Sequence, residues 1–240
     1  MGFTGFILLA VGLAAAKPAP EPDANLVAVW SFGSSGLQSD FGSVSLLATV
    51  PQRVELRDGT LVLHHNASVL TNAADVMPSG DYTLWLRMKT SRVVNGQMFA
   101  GYVRGVDSSV SGGRPLMAQG WDNIVHTALF VRDGSSPVKT QFRTGKIFGE
   151  IKSSNAVSPD EYFELALVFN KKAGRGIRVM LNGVEHVYDK LTDAPIAEPN
   201  ALAFGFLRYP GVSVHDTMTI DEIRLYRVAV SPEVLASLSR

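Results

Sequence analysis

The chain has 240 residues, 22 acidic and 22 basic side chains, and no cysteine. The balanced charge argues against a nucleic-acid partner, because phosphate binding needs a basic face, and against a polybasic membrane anchor. Without cysteine, the chain forms no disulfide, zinc–thiolate site or thiol nucleophile. Hydrophobic residues make up 46% of the sequence, enough for a sizeable core in one large all-β domain or two small ones.

The first residues have the pattern of a targeting segment. Phe6 to Ala16 is an apolar stretch of signal-peptide length that ends in three alanines. No Lys or Arg precedes it, so a misplaced start codon or an uncleaved apolar tail stays open as the alternative. We predict a signal peptide over 1–16, a proline-rich linker over 17–24 and a mature domain over 25–240. The mature protein is then expected to be secreted, periplasmic or on the cell surface, with no membrane span.

The rest of the chain reads as strand after strand, with turn residues between them. Asp58-Gly59 and Asn182-Gly183 predict two-residue hairpins, in which both central residues adopt positive φ. Ser231 and Pro232 predict the N-cap and first turn of a short C-terminal helix. The spacing of the strands predicts one two-sheet antiparallel β-sandwich with no internal repeat and no second domain. The predicted strands are Leu26–Phe32, Arg53–Leu56, Thr60–Leu63, Tyr82–Lys89, Gln97–Val103, His126–Val131, Lys139–Arg143, Tyr162–Phe169, Ile177–Leu181, Val184–Tyr188, Ala201–Leu207 and Thr217–Tyr226.

Four segments, in this order, resemble the laminin-G-like, concanavalin-A-like lectin/glucanase superfamily. They are Asp81–Arg87, Ala166–Asn170 followed by Ile177–Val184, Ala203–Gly205, and Ile220–Leu235. The resemblance implies a jelly-roll fold closed by the C-terminal helix. It also implies a lectin-like module that binds glycan or extracellular matrix. The chain departs from the family's pattern after Trp30-Ser31-Phe32, where Gly33 replaces the usual acid, and at Glu161-Tyr162-Phe163, where a tryptophan and two histidines are common.

The acidic residues argue against catalysis. Glucanases of related fold use carboxylates spaced along one strand face, because alternate residues point the same way. Asp221 and Glu222 are adjacent and are expected to face opposite sides of a regular strand. No Gly-x-Ser-x-Gly elbow and no zinc-protease histidine spacing are present. We therefore predict that the chain is not an enzyme.

The resemblance implies a metal role for one acid, Asp221. In that fold the last-strand aspartate often helps to bind a structural calcium ion, together with a residue of the first strand. Gly33 stands where that second ligand is expected. The alternative is that Asp221 accepts hydrogen bonds and holds the closing strand, with Glu222 as an exposed partner of a nearby arginine.

A glycan site needs an exposed aromatic ring with polar neighbours that satisfy sugar hydroxyls. Trp85 lies on the polar side of its strand, and Trp30 is assigned to the core. The alternative for each aromatic candidate is burial, because both faces of a sandwich strand can be covered. The candidate ligand-binding residues are Trp85, Arg87, Trp121, Asn123, Arg208 and Tyr209.

The sequence thus predicts an exported, non-catalytic module whose partner is a glycan or an extracellular protein. Two other interpretations stay open. One is a structural or adhesive protein–protein interaction domain. The other is an accessory module of a sialidase-type or other polysaccharide-degrading enzyme.

Overall fold

The computed structural model describes residues 23–76, 80–92, 97–104, 128–132, 139–144, 147–151, 157–170, 176–188, 199–207 and 217–238. The predicted signal peptide and most of the predicted linker lie outside these residues. Within the described ranges, no helix is long and apolar enough to cross a membrane.

The described residues form strands, two short α-helices and one 3₁₀ turn, Pro51–Arg53. The strands are β1 (Leu26–Trp30), β2 (Leu47–Ala48), β3 (Val54–Arg57), β4 (Thr60–His64), β5 (Val69–Asn72), β6 (Tyr82–Thr90), β7 (Gln97–Val103), β8 (Ala128–Arg132), β9 (Lys139–Thr144), β10 (Ile147–Ile151), β11 (Phe163–Asn170), β12 (Gly176–Leu181), β13 (Val184–Tyr188), β14 (Ala201–Leu207) and β15 (Thr217–Tyr226). The helices are α1 (Ala73–Val76) and α2 (Pro232–Leu238).

The strands form two antiparallel sheets, which confirms the predicted sandwich. The eight-stranded sheet has the order β13-β12-β11-β6-β15-β4-β3, and β1 also pairs with β15. The seven-stranded sheet has the order β10-β9-β8-β7-β14-β5-β2. In the first sheet, β15 is central: it pairs with β6 along one side and with β4 and then β1 along the other. The last strand, β15, therefore connects strands from the N-terminal third of the chain with β6 from its middle third.

The two predicted hairpin turns are present. Asp58 and Gly59 have φ values of 51° and 70°, and Asn182 and Gly183 have values of 50° and 76°. All four residues thus occupy the left-handed region that this turn requires. The Asn182 side chain also accepts a hydrogen bond from the backbone N–H of Glu164 at 3.0 Å, so the β12–β13 turn is tied to β11.

The main core lies between the sheets. Tyr82 stacks against Phe169 at 5.4 Å between ring centroids and meets Tyr102 edge-on at 5.3 Å. Trp30 is fully buried in the same cluster, as predicted. Burial of this apolar surface is the main force that holds the two sheets together.

A second apolar cluster lies on the outer face of the eight-stranded sheet, where α2 packs. Leu235 of α2 is 3% exposed in that cluster. The approach to α2 is fixed by Thr83, whose hydroxyl donates to the carbonyl of Val228 at 2.8 Å and accepts from the N–H of Val230 at 2.9 Å. The buried members of the cluster are Leu26, Val29, Trp85, Ala166, Val168, Met180, Tyr226, Val230 and Leu235.

Some elements differ from the predicted ones. β2, β5, β10 and α1 were not predicted from the sequence. In β5 the first three residues are all buried, so the strand has no alternation to reveal it. The first strand ends at Trp30 rather than Phe32, because Phe32 has a φ of 57°, which an extended strand cannot accommodate.

Candidate functional site on the outer face of the eight-stranded sheet

A β-bulge in β15 reorganises the charged residues of this sheet. Ile220 pairs with Met88 and Glu222 pairs with the next residue, Arg87, so Asp221 is the extra residue. Ile220 before the bulge and Ile223 after it both belong to the core between the sheets. The alternation therefore shifts by one residue at the bulge, and Asp221 and Glu222 share the outer face. The prediction that the two carboxylates face opposite sides is wrong, since it assumed a regular strand.

Each of these carboxylates is paired with an arginine. Nη1 of Arg87 donates to Oδ2 of Asp221 at 2.8 Å, and Nε of Arg224 donates to Oε1 of Glu222. The side chain of Arg87 is 23% exposed and that of Asp221 only 9%. Burial is the largest single effect and opposes the charge of Arg224, but the negative charge of Glu222 and the hydrogen bonds with Tyr226 and Glu222 together outweigh it and raise the pKa of Arg224. The pairing thus compensates charges that are largely removed from water.

Tyr162 lies over the cations of β6. Its ring centroid is 4.4 Å from the guanidinium carbon of Arg87 and 5.0 Å from the ammonium nitrogen of Lys89, within cation–π range. The residue is 38% exposed. Partial burial, and then the negative charge of Asp221, raise the pKa of Tyr162, while Arg87 opposes the shift. An exposed ring is thus held in place beside charged hydrogen-bonding groups.

These side chains form one surface, which we call the outer-face patch. In the register of the sheet, Glu164 of β11 pairs with Arg87 from one side and Glu222 of β15 pairs with it from the other. The patch consists of Arg87, Lys89, Tyr162, Glu164, Asp221, Glu222 and Arg224. Arg87 was a predicted ligand-binding residue. Tyr162 was predicted only as the start of a strand, but β11 begins at Phe163 and Tyr162 precedes it. One feature of the sequence could have drawn attention to Tyr162: it lies in Glu161-Tyr162-Phe163, where the resembled family commonly has a tryptophan and two histidines.

Trp85 does not form an exposed platform. It is 3% exposed because α2 covers it, and the guanidinium carbon of Arg224 lies 5.8 Å from its ring centroid. The exposed position predicted for Trp85 is therefore contradicted, and its alternative interpretation as a packed residue holds. The same covering leaves only a shallow depression beside the ring, lined by Trp85, Glu164, Ala166, Met180, Gly183, Leu235 and Ala236.

The alternative roles proposed for Asp221 and Glu222 can be compared with the structure. The Asp221 carboxylate accepts a hydrogen bond from β6 and so ties the closing strand to its neighbour. Among the described residues, no group of three or more His, Asp or Glu side chains could hold a metal ion. Glu222 has the predicted arginine partner, but it is 3% exposed rather than on the surface.

The remaining candidate residues cannot be placed relative to the patch. Trp121, Asn123, Arg208 and Tyr209 lie outside the described residues. Their predicted role in ligand binding stays a prediction.

Comparisons with known proteins rest on structure alone. No family model matches the chain, and no curated protein matches it in sequence. A structure of botulinum neurotoxin type C, whose cell entry depends on two ganglioside molecules, shares 10% identity at a TM-score of 0.64, over 90% of this chain and 52% of that one. Domain 4 of AbnA, an extracellular arabinanase from Geobacillus stearothermophilus solved with arabinotriose, shares 15% identity at a TM-score of 0.63, over 90% of this chain and 98% of that one. A Trypanosoma rangeli sialidase shares 12% identity at a TM-score of 0.61, over 90% of this chain and 33% of that one.

At these identities the likeness shows a common fold. The fold extends over nine tenths of this chain in each case. The chain matches about half of the toxin structure and a third of the sialidase, but nearly all of the arabinanase domain. It therefore corresponds in extent to one whole domain of the arabinanase and to part of the other two chains.

Proposed function

We propose that this chain is an exported, non-catalytic carbohydrate-binding module of the laminin-G-like, concanavalin-A-like kind. The observation that carries the proposal is the match to nearly the whole of an arabinanase domain that was solved with arabinotriose bound. The toxin and sialidase structures support it, since cell entry of the toxin depends on gangliosides and the sialidase was solved with 2,3-difluorosialic acid. A shared fold does not identify a ligand, which depends on the side chains at the surface of this chain.

The acids of the outer-face patch favour binding over catalysis. A glycosidase needs one carboxyl group that protonates the leaving group and a second that acts as nucleophile or base. Asp221 and Glu222 share a face, yet each already accepts a hydrogen bond from an arginine. Both side chains are less than a tenth exposed, which leaves little room for a scissile bond. A module that helps a polysaccharide-degrading enzyme to hold its substrate fits this arrangement.

Export is proposed on the sequence of the N-terminus. The apolar stretch from Phe6 to Ala16 and its alanine ending are typical of a cleaved signal peptide. A glycan-binding module would meet polysaccharides outside the cell, so location and function are consistent.

The test is a glycan array probed with the purified protein, first with calcium and then with chelator. Binding to a defined class of glycans is the expected result, and loss in Trp121→Ala or Arg208→Ala would place those residues at the site. Circular dichroism confirms that each variant is folded. An array on which the folded protein binds nothing would contradict the proposal and favour an extracellular protein as the partner.

A further inference from the structure

We propose that the outer-face patch is a binding subsite for a neutral, hydroxyl-rich sugar, with Tyr162 as its aromatic contact. The inference rests on the proposed function and names the place and the chemical class of ligand. It departs from the predicted candidates, because Tyr162 was not among them and Trp85 is covered.

The ring of Tyr162 is suited to stack against a sugar. Among the Phe, Tyr and Trp residues whose side chains are described, it is the one with exposure as high as 38%. The contacts with Arg87 and Lys89 hold the ring in place before any ligand arrives. A preorganised aromatic surface loses little conformational entropy on binding, which favours affinity.

The charges of the patch balance, which favours a neutral sugar. Three cations, Arg87, Lys89 and Arg224, lie among three carboxylates, those of Glu164, Asp221 and Glu222. Because the two signs balance, the patch has no net positive charge that would favour the carboxylate of a sialic or uronic acid over a neutral sugar. A neutral sugar has hydroxyl groups that both donate and accept, so it can use the half-buried carboxylate of Glu164 and cationic N–H groups alike.

Lys89 supplies the most available donor of the patch. Its ammonium group contacts the ring of Tyr162 and forms no ion pair with an acid in the described part of the chain. Arg87, in contrast, already donates to Asp221. We therefore expect a sugar that stacks on Tyr162 to accept a hydrogen bond from the Lys89 ammonium group.

The experiment compares the full-length protein with three variants on an array of neutral, uronic-acid and sialylated glycans, followed by titration calorimetry with arabinotriose and N-acetylneuraminic acid. Tyr162→Ala should weaken binding to neutral glycans about tenfold, the scale of one lost aromatic contact. Tyr162→Phe keeps the ring and should bind within about threefold of the parent protein. Val184→Ala removes another exposed apolar side chain, 40% exposed and outside the patch, and should have no effect.

The outcomes separate this inference from the proposed function. Neutral glycan binding that survives in Tyr162→Ala would overturn the subsite while leaving a carbohydrate-binding module. Binding of acidic glycans alone would overturn the assigned sugar class. A folded protein that binds no glycan would overturn both proposals.

Discussion

Replacing Leu235 by alanine tests the packing of α2 on the sheet. Leu235 is 3% exposed and is the buried residue of α2 in the cluster that covers Trp85. Buried leucine-to-alanine changes lower the free energy of unfolding by about 2–5 kcal/mol, depending on how far the cavity collapses. Because α2 is a surface helix beside a shallow depression, its surroundings can relax, and we expect about 2–3 kcal/mol. In a chain of this length, such a loss lowers Tm by roughly 4–12 °C.

The assay is urea unfolding followed by circular dichroism, with Val234→Ala as the matched control. Val234 belongs to the same helix but is 47% exposed, so its replacement should change the free energy of unfolding by less than about 0.5 kcal/mol. Acrylamide quenching of tryptophan fluorescence should also increase in Leu235→Ala, and this increase should vanish when Trp85→Phe is added. Equal effects of Leu235→Ala and Val234→Ala would refute the reasoning, because α2 would then not be held by its buried face.

Three further predictions concern an ion pair, an alkaline transition and a glycine. Asp221→Asn should lower the free energy of unfolding by about 2 kcal/mol, because it leaves the partly buried Arg87 without its anionic partner. If Asp221 instead bound calcium, adding chelator alone would lower the Tm of the parent protein. Complete burial raises the pKa of Tyr102 well above that of an unfolded chain, so the free energy of unfolding should fall above pH 10, and Tyr102 should contribute about 1.4 kcal/mol per pH unit to the slope. Tyr102→Phe should remove this contribution in urea unfolding from pH 9 to 11.5, and an unchanged slope would contradict the raised pKa of Tyr102. Gly205→Ala should lower the free energy of unfolding more than Gly59→Ala does, since both glycines have a φ of +70° but only at Gly205 would a Cβ approach a leucine methyl carbon to 2.8 Å. Equal losses in the two variants would show that backbone strain alone determines the effect.

The sign of the alkaline prediction follows from the folded state's preference for the neutral phenol. In the unfolded chain the Tyr102 hydroxyl ionises near its ordinary pKa of 10, whereas burial keeps it protonated in the folded protein. The stabilisation is therefore complete below pH 10 and is lost as the pH rises, because the unfolded state releases its proton first. Tyr162 and Tyr226 contribute in the same direction, since burial raises the pKa of each of them.

The arginine–carboxylate pairs link stability to the proposed binding surface. Arg87 contacts both the buried carboxylate of Asp221 and the exposed ring of Tyr162. A change at Asp221 should therefore release the guanidinium group and disturb the ring above it. For this reason the binding test uses changes at Tyr162 itself, which is exposed, rather than changes at the buried pair.

The sequence alone determined the class of fold and most of the local structure. Strand alternation, as in Tyr82–Thr90, depends on neighbouring residues of one segment, and both glycine-containing hairpins depend on two residues each. The start of α2 at Pro232 follows from a cap and a proline. These features are local, so a few adjacent side chains suffice to predict them.

Only the tertiary structure decided the outer-face patch. The bulge at Asp221 depends on how β15 pairs with β6, and a shift of one residue moves each following side chain to the other face. The burial of Trp85 depends on α2, near the other end of the chain. The position of the Tyr162 ring over Arg87 and Lys89 depends on the pairing of β11 with β6. Each of these results comes from contacts between residues distant in sequence, which no local pattern encodes.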